Sequence, residues 1–308
     1  MSADAVSPLS LSRLLQNFPA LADCLRGIDR AAPTEAPVLI LGEPGSGRST
    51  LARALHGASS RAAGPLTEMD PGAIPSTLFE SEFFGYRPGA FTGAEGPSEG
   101  RVARAEGGTL VLDHVEELPL PSQPKLLRLV AERRYAPLGG MERVADVRFV
   151  AIGSEDLPRR VARETFRPDL FYRLEVLAFR VPPLRERRAD LAAVLDHLLA
   201  DLGERFGVRT PELTARARAW MLEHPWPGNL RQLRNTLERG LILAEGGPVD
   251  PPRPEGLLET RPRPLLEVEK EQIKNALAYT RGHQGRAADL LGISRKALWE
   301  KRRRYGIR

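Results

Sequence analysis

Nine consecutive residues, Gly42-Glu43-Pro44-Gly45-Ser46-Gly47-Arg48-Ser49-Thr50, combine spaced glycines with two adjacent hydroxyls. Such a turn suits phosphate, because glycines let several backbone N–H groups converge and a helix N-terminus adds partial positive charge without any ionised side chain. Gly42, Gly45, Ser46, Gly47, Arg48, Ser49 and Thr50 are therefore candidate phosphate ligands, with the Ser49 hydroxyl where a magnesium ion would be met. Position 48 departs from the usual lysine. A lysine ammonium is compact and flexible, whereas guanidinium is larger, planar and prefers bidentate partners. The exchange predicts that binding survives more readily than turnover. A second chemical pair, Asp113-His114, closes the apolar run Thr109-Leu110-Val111-Leu112; a neutral imidazole accepts a proton near pH 7 but lacks a carboxylate's charge and reach.

These residues need a strand-loop-helix frame. Val38 to Leu41 is a short apolar run before the glycine-rich turn, and Leu51-Ala52-Arg53-Ala54-Leu55 after it reads as helix. Thr109 to Leu112, Val147 to Ile152 and Val176 to Val181 read as further buried strands. From Asp190 the period changes. Leu191, Val194, Leu195, Leu198, Leu199 and Leu202, then Leu230, Leu233, Leu237 and Leu241, follow helical spacing and predict a helical subdomain after the sheet.

Composition narrows the class. The 308 residues, 42% hydrophobic and 28% charged, describe ordinary globular protein, with no apolar run approaching a membrane span and no secretory leader pattern. A single cysteine, Cys24, excludes an intramolecular disulfide, and the scattered histidines make no zinc spacing. The expectation is a cytoplasmic protein that does not engage a membrane. The net charge of +5 hides an asymmetry: Arg281 to Arg308 holds nine Lys or Arg against two acids, so the basic excess sits in the tail. Ahead of it Gly246 to Pro264 holds six prolines and shows no sustained period, which reads as a stiffened linker.

Between Gly85 and Pro119 lies Gly89-Ala90-Phe91-Thr92-Gly93-Ala94. Terminal glycines free the backbone, small residues leave little to pack, and Phe91 would be displayed at a loop tip. This hexapeptide, with the downstream Gly-Gly-Thr-Leu, resembles the signature of the AAA+ activators of sigma-54 RNA polymerase, the bacterial enhancer-binding proteins. The resemblance runs from about Leu14 to Arg308. It implies an AAA+ P-loop α/β subdomain with a parallel sheet (14–184, after a tail 1–13), an all-helical lid (185–245), a linker (246–264) and a C-terminal Fis-type helix-turn-helix (265–308). It also implies ATP and magnesium as cofactors, upstream DNA and sigma-54 RNA polymerase as partners, and a ring of like or related subunits.

Carried onto this chain, the resemblance makes residues 89–94 the sigma-contacting loop and Asp113 the Walker B aspartate that holds magnesium. His114 stands where the family's catalytic glutamate would be, Asp70 where an asparagine restrains that glutamate, and Gly153-Ser154 where a Thr-Asn pair senses the γ-phosphate. Arg167 and Arg173, in Phe166-Arg167-Pro168-Asp169-Leu170-Phe171-Tyr172-Arg173-Leu174, match the arginine fingers. Arg231, in Trp226-Pro227-Gly228-Asn229-Leu230-Arg231, matches the lid's sensor arginine. In the tail, a short helix, a glycine turn and Ser294 as N-cap precede a basic recognition helix. It offers Arg295, Lys296, Lys301, Arg302, Arg303 and Arg304 to DNA, with Trp299 expected in its core. The expectation is that no receiver-like or ligand-binding domain fits ahead of Val38. Two readings stay open: a working activator that hydrolyses ATP, or a pseudo-ATPase acting by occupancy or in mixed rings, with Arg48, Asp70, His114 and Ser154 pointing to impaired hydrolysis.

Overall fold

The computed structural model describes residues 10–208, 211–244, 246–253, 265–280 and 282–307. The chain forms two units, dividing after Arg253. The larger is built on five parallel strands, β1 (Val38–Gly42), β2 (Leu66–Met69), β3 (Thr109–Leu112), β4 (Arg148–Gly153) and β5 (Leu177–Val181), in the order β2-β3-β4-β1-β5. Nearly continuous apolar residues fill β1, β3 and β4 because helices cover both faces, so no strand residue has a solvent side to satisfy. On one face lie α1 (Leu11–Asn17), α2 (Pro19–Cys24) and α3 (Arg48–Gly57), whose Leu14, Leu21, Leu51 and Leu55 meet Val38, Ile40 and Val150. On the other, Phe79, Phe83, Leu126, Leu129, Phe166 and Leu170 pack on Leu39, Leu110, Leu112 and Phe149.

Strand register, more than packing, decides which side chains can meet. Leu41 lies opposite Gly153, Met69 opposite Leu112, and Leu112 opposite Ala151, so the chain leaves β1, β2, β3 and β4 along one edge. Ligand crevices of open α/β sheets lie outside these carboxyl ends.

The lid follows as α4 (Leu191–Phe206), α5 (Ala215–Glu223) and α6 (Asn229–Leu243). The expected leucine stripe of α4 is buried throughout. Its core is continuous with that under α1 to α3, with Trp220, Met221 and Trp226 at the centre. The stretch read as linker starts differently from its composition: Val249 is fully buried and bridges to Leu213, Pro251 packs on Gly240, and Asp250 accepts from Thr214 Oγ1 at 3.0 Å. Prolines suit this return because it needs few ladder N–H groups. Residues 254–264 of that stretch lie outside the described ones.

The smaller unit holds α7 (Leu265–Tyr279), α8 (Gln284–Leu290) and α9 (Arg295–Tyr305). Ile273 and Leu277 meet Ala287, Ala288 and Leu298, the paired alanines letting α8 come close. Gly292, at φ 64°, makes the turn, and the Ser294 hydroxyl accepts from the Ala297 amide at 3.1 Å as expected of an N-cap.

One buried carboxylate ties the first helices to the lid entrance. Asp190 accepts from the amides of Ala20 (3.0 Å) and Leu21 (2.8 Å), the free donors of the α2 N-terminus, which has no cap of its own. Asp190→Ala is expected to lower stability by roughly 1–2 kcal/mol, read as a shifted urea midpoint; an unchanged midpoint would show that the clamp is dispensable.

Candidate functional site

The glycine-rich turn rises from β1 into α3. Gly45 and Gly47 sit at φ 75° and 107°, and a Cβ on Gly45 would stand 2.7 Å from the Gly228 carbonyl oxygen. The lid backbone lies directly against Gly45, whereas Gly47 favours glycine through its left-handed backbone. The clip between them is Asn229, fully buried and itself left-handed at φ 53°. Its Nδ2 donates to Glu43 Oε2 (3.1 Å) and the Pro44 carbonyl (3.2 Å), and its Oδ1 accepts from the Leu184 amide at 2.9 Å. The Leu230 amide donates to the Gly45 carbonyl at 2.9 Å. Two arginines complete the frame. Arg185 forks onto Glu43, holding that carboxyl below its usual range, and Arg187 donates to the Ser46 carbonyl at 2.7 Å. Burial pulls the Arg187 guanidinium down to about 10.

Arg48 borders the turn with its guanidinium engaged by backbone carbonyls. Its Nη1 donates to the carbonyls of Gly42 (2.8 Å) and Gly153 (2.6 Å), joining the ends of β1 and β4. The side chain is buried, and desolvation lowers its pKa against the opposing pull of Asp113 and Glu116. Glu116 is the unforeseen partner. It is buried, and its Oε1 accepts from the Ser154 amide at 3.1 Å. It is enclosed because Gly153 has no side chain, and a Cβ there would lie 3.3 Å from Glu116 Oε2.

The predicted metal pair is assembled: Ser49 Oγ donates to Asp113 Oδ2 at 3.0 Å. Beside it His114 occupies a left-handed turn at φ 52°, and its Nδ1 lies 3.0 Å from Asp70 Oδ2. A carboxylate oxygen accepts, so in this pair Nδ1 is the donor and Nε2 is the ring's other nitrogen. Asp70 Oδ1 is in turn held by the Gly72 amide at 2.9 Å.

These groups border an open cleft of about 670 Å³, lined by Gly45, Gly47, Arg48, Ser49, Thr50, Asp113, His114 and Arg231 with Arg234 from the lid. An apolar cleft of about 570 Å³ shares Gly47, Thr50, Leu198 and Leu230 with it and is walled by Leu14, Phe18, Val181 and Val194. Ser46 Oγ and His197 Nε2 are buried there without a hydrogen-bond partner. A slot for a flat base beside a polar pocket with an amide-rich turn fits ATP, and Ser49 with Asp113 fits a hard cation. The fit thus rests on two orphaned polar atoms and a glycine cradle in the fold itself.

The other candidates lie outside these clefts. Arg167 caps the helix Pro168–Leu174 and forks onto Asp169, while Arg173 in its last turn donates to the Ala131 carbonyl at 3.1 Å. Both are exposed. In the loop, the Gly89 amide donates to the Ala94 carbonyl at 2.9 Å, closing a ring with Gly89 and Gly93 left-handed and Phe91 42% exposed. The Phe91 ring rests edge-on to Tyr86 at 4.9 Å, and Ala90 touches Gly139 of the neighbouring turn.

On α9 the expected DNA residues divide. Lys301 pairs with Glu269 of α7, as does the Tyr305 hydroxyl, and the Arg295 guanidinium lies over Gly285. Lys296, Arg303 and Arg304 are exposed, whereas Arg302 is partly buried. Trp299 is not in the core: it is 54% exposed, and Leu298 takes the buried position. A one-residue step around a helix turns a side chain by about 100°, and composition alone does not say which of two adjacent apolar residues faces inward.

Known proteins agree with this arrangement. Residues 14–180 match the sigma-54 interaction domain family, residues 185–259 an AAA+ ATPase lid domain, and residues 264–305 the bacterial regulatory protein, Fis family. The chain is 40% identical to the C4-dicarboxylate transport transcriptional regulatory protein DctD of Rhizobium meliloti, over 96% of this chain and 64% of that one. It is 38% identical to the regulatory protein AtoC of Escherichia coli, over 96% and 68%. It therefore spans about two thirds of the length of these relatives. NtrX from Brucella abortus, solved in complex with ADP, superposes with a TM-score of 0.70 at 32% identity, covering 94% of this chain and 68% of that one. The same protein in complex with ATP gives 0.70 at 30%, covering 96% and 72%.

Asn229→Ala orphans the Leu184 amide and the Pro44 carbonyl and leaves alanine in a left-handed conformation. We expect a loss of roughly 2–4 kcal/mol in stability, measured by denaturant unfolding, with α4 and α6 gaining hydrogen exchange; unchanged exchange in the lid would exclude the clip.

Proposed function

The chain belongs to the sigma-54-interacting family of AAA+ transcriptional regulators with a Fis-type DNA-binding domain, and on that premise we propose that it activates transcription by ATP-driven remodelling. In this reading the smaller unit holds upstream DNA, subunits assemble into a ring, and the loop 89–94 presents Phe91 to sigma-54 RNA polymerase. The observation that carries it is the meeting of Ser49, Asp113, His114 and Arg231 on one cleft at the sheet's carboxyl edge. When bound, ATP supplies the phosphoanhydride whose cleavage drives the remodelling, and magnesium supplies positive charge to its oxygens.

The chain's own residues divide the labour. Backbone amides of Gly45 to Ser49 and the Arg231 guanidinium would hold phosphate oxygens, while Arg48 braces the strand ends. Ser49 and Asp113 would hold the magnesium. His114 Nε2 would orient a water and take its proton, with Asp70 fixing the ring through Nδ1 as the family's asparagine restrains its glutamate. The His114–Asp70 contact favours this working activator over a pseudo-ATPase: both positions changed, and the new residues form a hydrogen bond with each other. Arg167 and Arg173 would face the nucleotide of an adjacent subunit.

The test is steady-state phosphate release from the full chain across a concentration range that forms rings. His114→Ala is expected to slow release at least about a hundredfold with nucleotide affinity retained. His114→Glu alone sets a carboxylate against Asp70 and should recover little, whereas D70N/H114E restores the family pair and should recover activity. Wild-type rates in His114→Ala would overturn the assignment of the base. Removing residues 265–308 is expected to abolish the salt-dependent part of DNA affinity; unchanged binding would refute the DNA-binding reading of the tail.

A further inference from the structure

Helix α9 has two faces of different chemistry. Its inner stripe, Leu298, Lys301, Arg302 and Tyr305, follows helical spacing: Leu298 fills the core, and Lys301 and Tyr305 are spent on Glu269 of α7. The face turned away carries Lys296, Trp299 and Arg303, three and four residues apart. Trp299 is 54% exposed, and the Arg303 guanidinium sits 5.6 Å from the centre of its ring. A tryptophan left in water on a helix this basic needs an explanation that packing does not supply, since the core has closed around Leu298 without it.

We propose that Trp299 is a base-reading residue, in contact with the C5-methyl group of a thymine in the major groove. The proposal rests on the tail being a DNA-binding unit. Phosphate oxygens are met by Lys and Arg, so an indole gains nothing there, whereas the thymine methyl is the one apolar feature of a major-groove edge. Charge selects duplex DNA as the occupant of this face: Lys296 and Arg303 flank the ring, with Arg304 on the next turn. The Arg303 guanidinium against the ring restrains the indole on this exposed face. By the same geometry Lys301, engaged with Glu269, does not count among the phosphate contacts.

The experiment uses the full chain and a duplex enriched from a randomised pool by the wild-type protein. Trp299→Ala is expected to weaken binding to that duplex about tenfold and to leave both the affinity for an unrelated duplex and the slope against salt unchanged. Replacing thymines one at a time by deoxyuridine should weaken the wild type at one or more defined positions and have no further effect there on the variant. As a contrast, Lys296→Ala should weaken both duplexes alike and reduce the salt slope by about one. The inference falls if no deoxyuridine substitution matters, or if Trp299→Ala weakens both duplexes equally. It also falls if the variant keeps full DNA affinity but changes oligomeric state, which would make this face a protein contact. Absence of any wild-type enrichment would instead overturn the DNA-binding reading on which it rests. Trp299→Phe retains an apolar ring and is expected to keep most of the discrimination, with an unchanged unfolding midpoint for both variants.

Discussion

Everything at the cleft depends on the in-register parallel pairing of β1, β3 and β4. Parallel ladders carry evenly spaced, slanted bonds, and with Leu41, Leu112 and the pair Ala151–Gly153 near the same level the chain leaves each strand at one edge. Residues remote in sequence then become neighbours without long side chains. Asp113 is bonded through its own amide to the Met69 carbonyl at 2.9 Å, which brings Asp70 beside His114. A shift of one strand by one residue would separate every functional pair and turn buried faces outward.

The same edge explains how the chain tolerates an arginine at position 48. A guanidinium in that confined space needs acceptors in its plane, and the final carbonyls of β1 and β4 provide two. Gly153 leaves room for the Glu116 carboxylate nearby, which adds favourable charge without a direct bond. The arginine thus braces two strand ends, while Arg231 and Arg234 of the lid border the cleft.

The lid is coupled to this edge by short polar contacts, not by apolar packing alone. Asn229, Arg185 and Arg187 all terminate on residues 43–46, and Asp190, three residues beyond Arg187, grips the start of α2. A change in the turn is therefore felt by the lid and by the first helices together, because apart from the exposed Arg185–Glu43 fork these contacts are hydrogen bonds of buried or half-buried groups.

Much of this was legible in the sequence. The glycine spacing around Arg48, the apolar run into Asp113, the hexapeptide around Phe91 and the basic tail each announce themselves through local chemistry: φ freedom, strand period, an unpackable loop, clustered charge. The leucine stripe of α4 and the N-cap at Ser294 were likewise readable, since both depend on neighbours within one or two helical turns. Tertiary structure decided the remainder. That Arg48 points at strand ends, that Glu116 is buried, that Val249 belongs to the lid and that Trp299 faces out are facts about which surface a residue meets. Such facts depend on the sheet's register and on the packing of elements far apart in the chain. Local sequence sets what a side chain can do, and only the assembled fold sets what it is close enough to do it with.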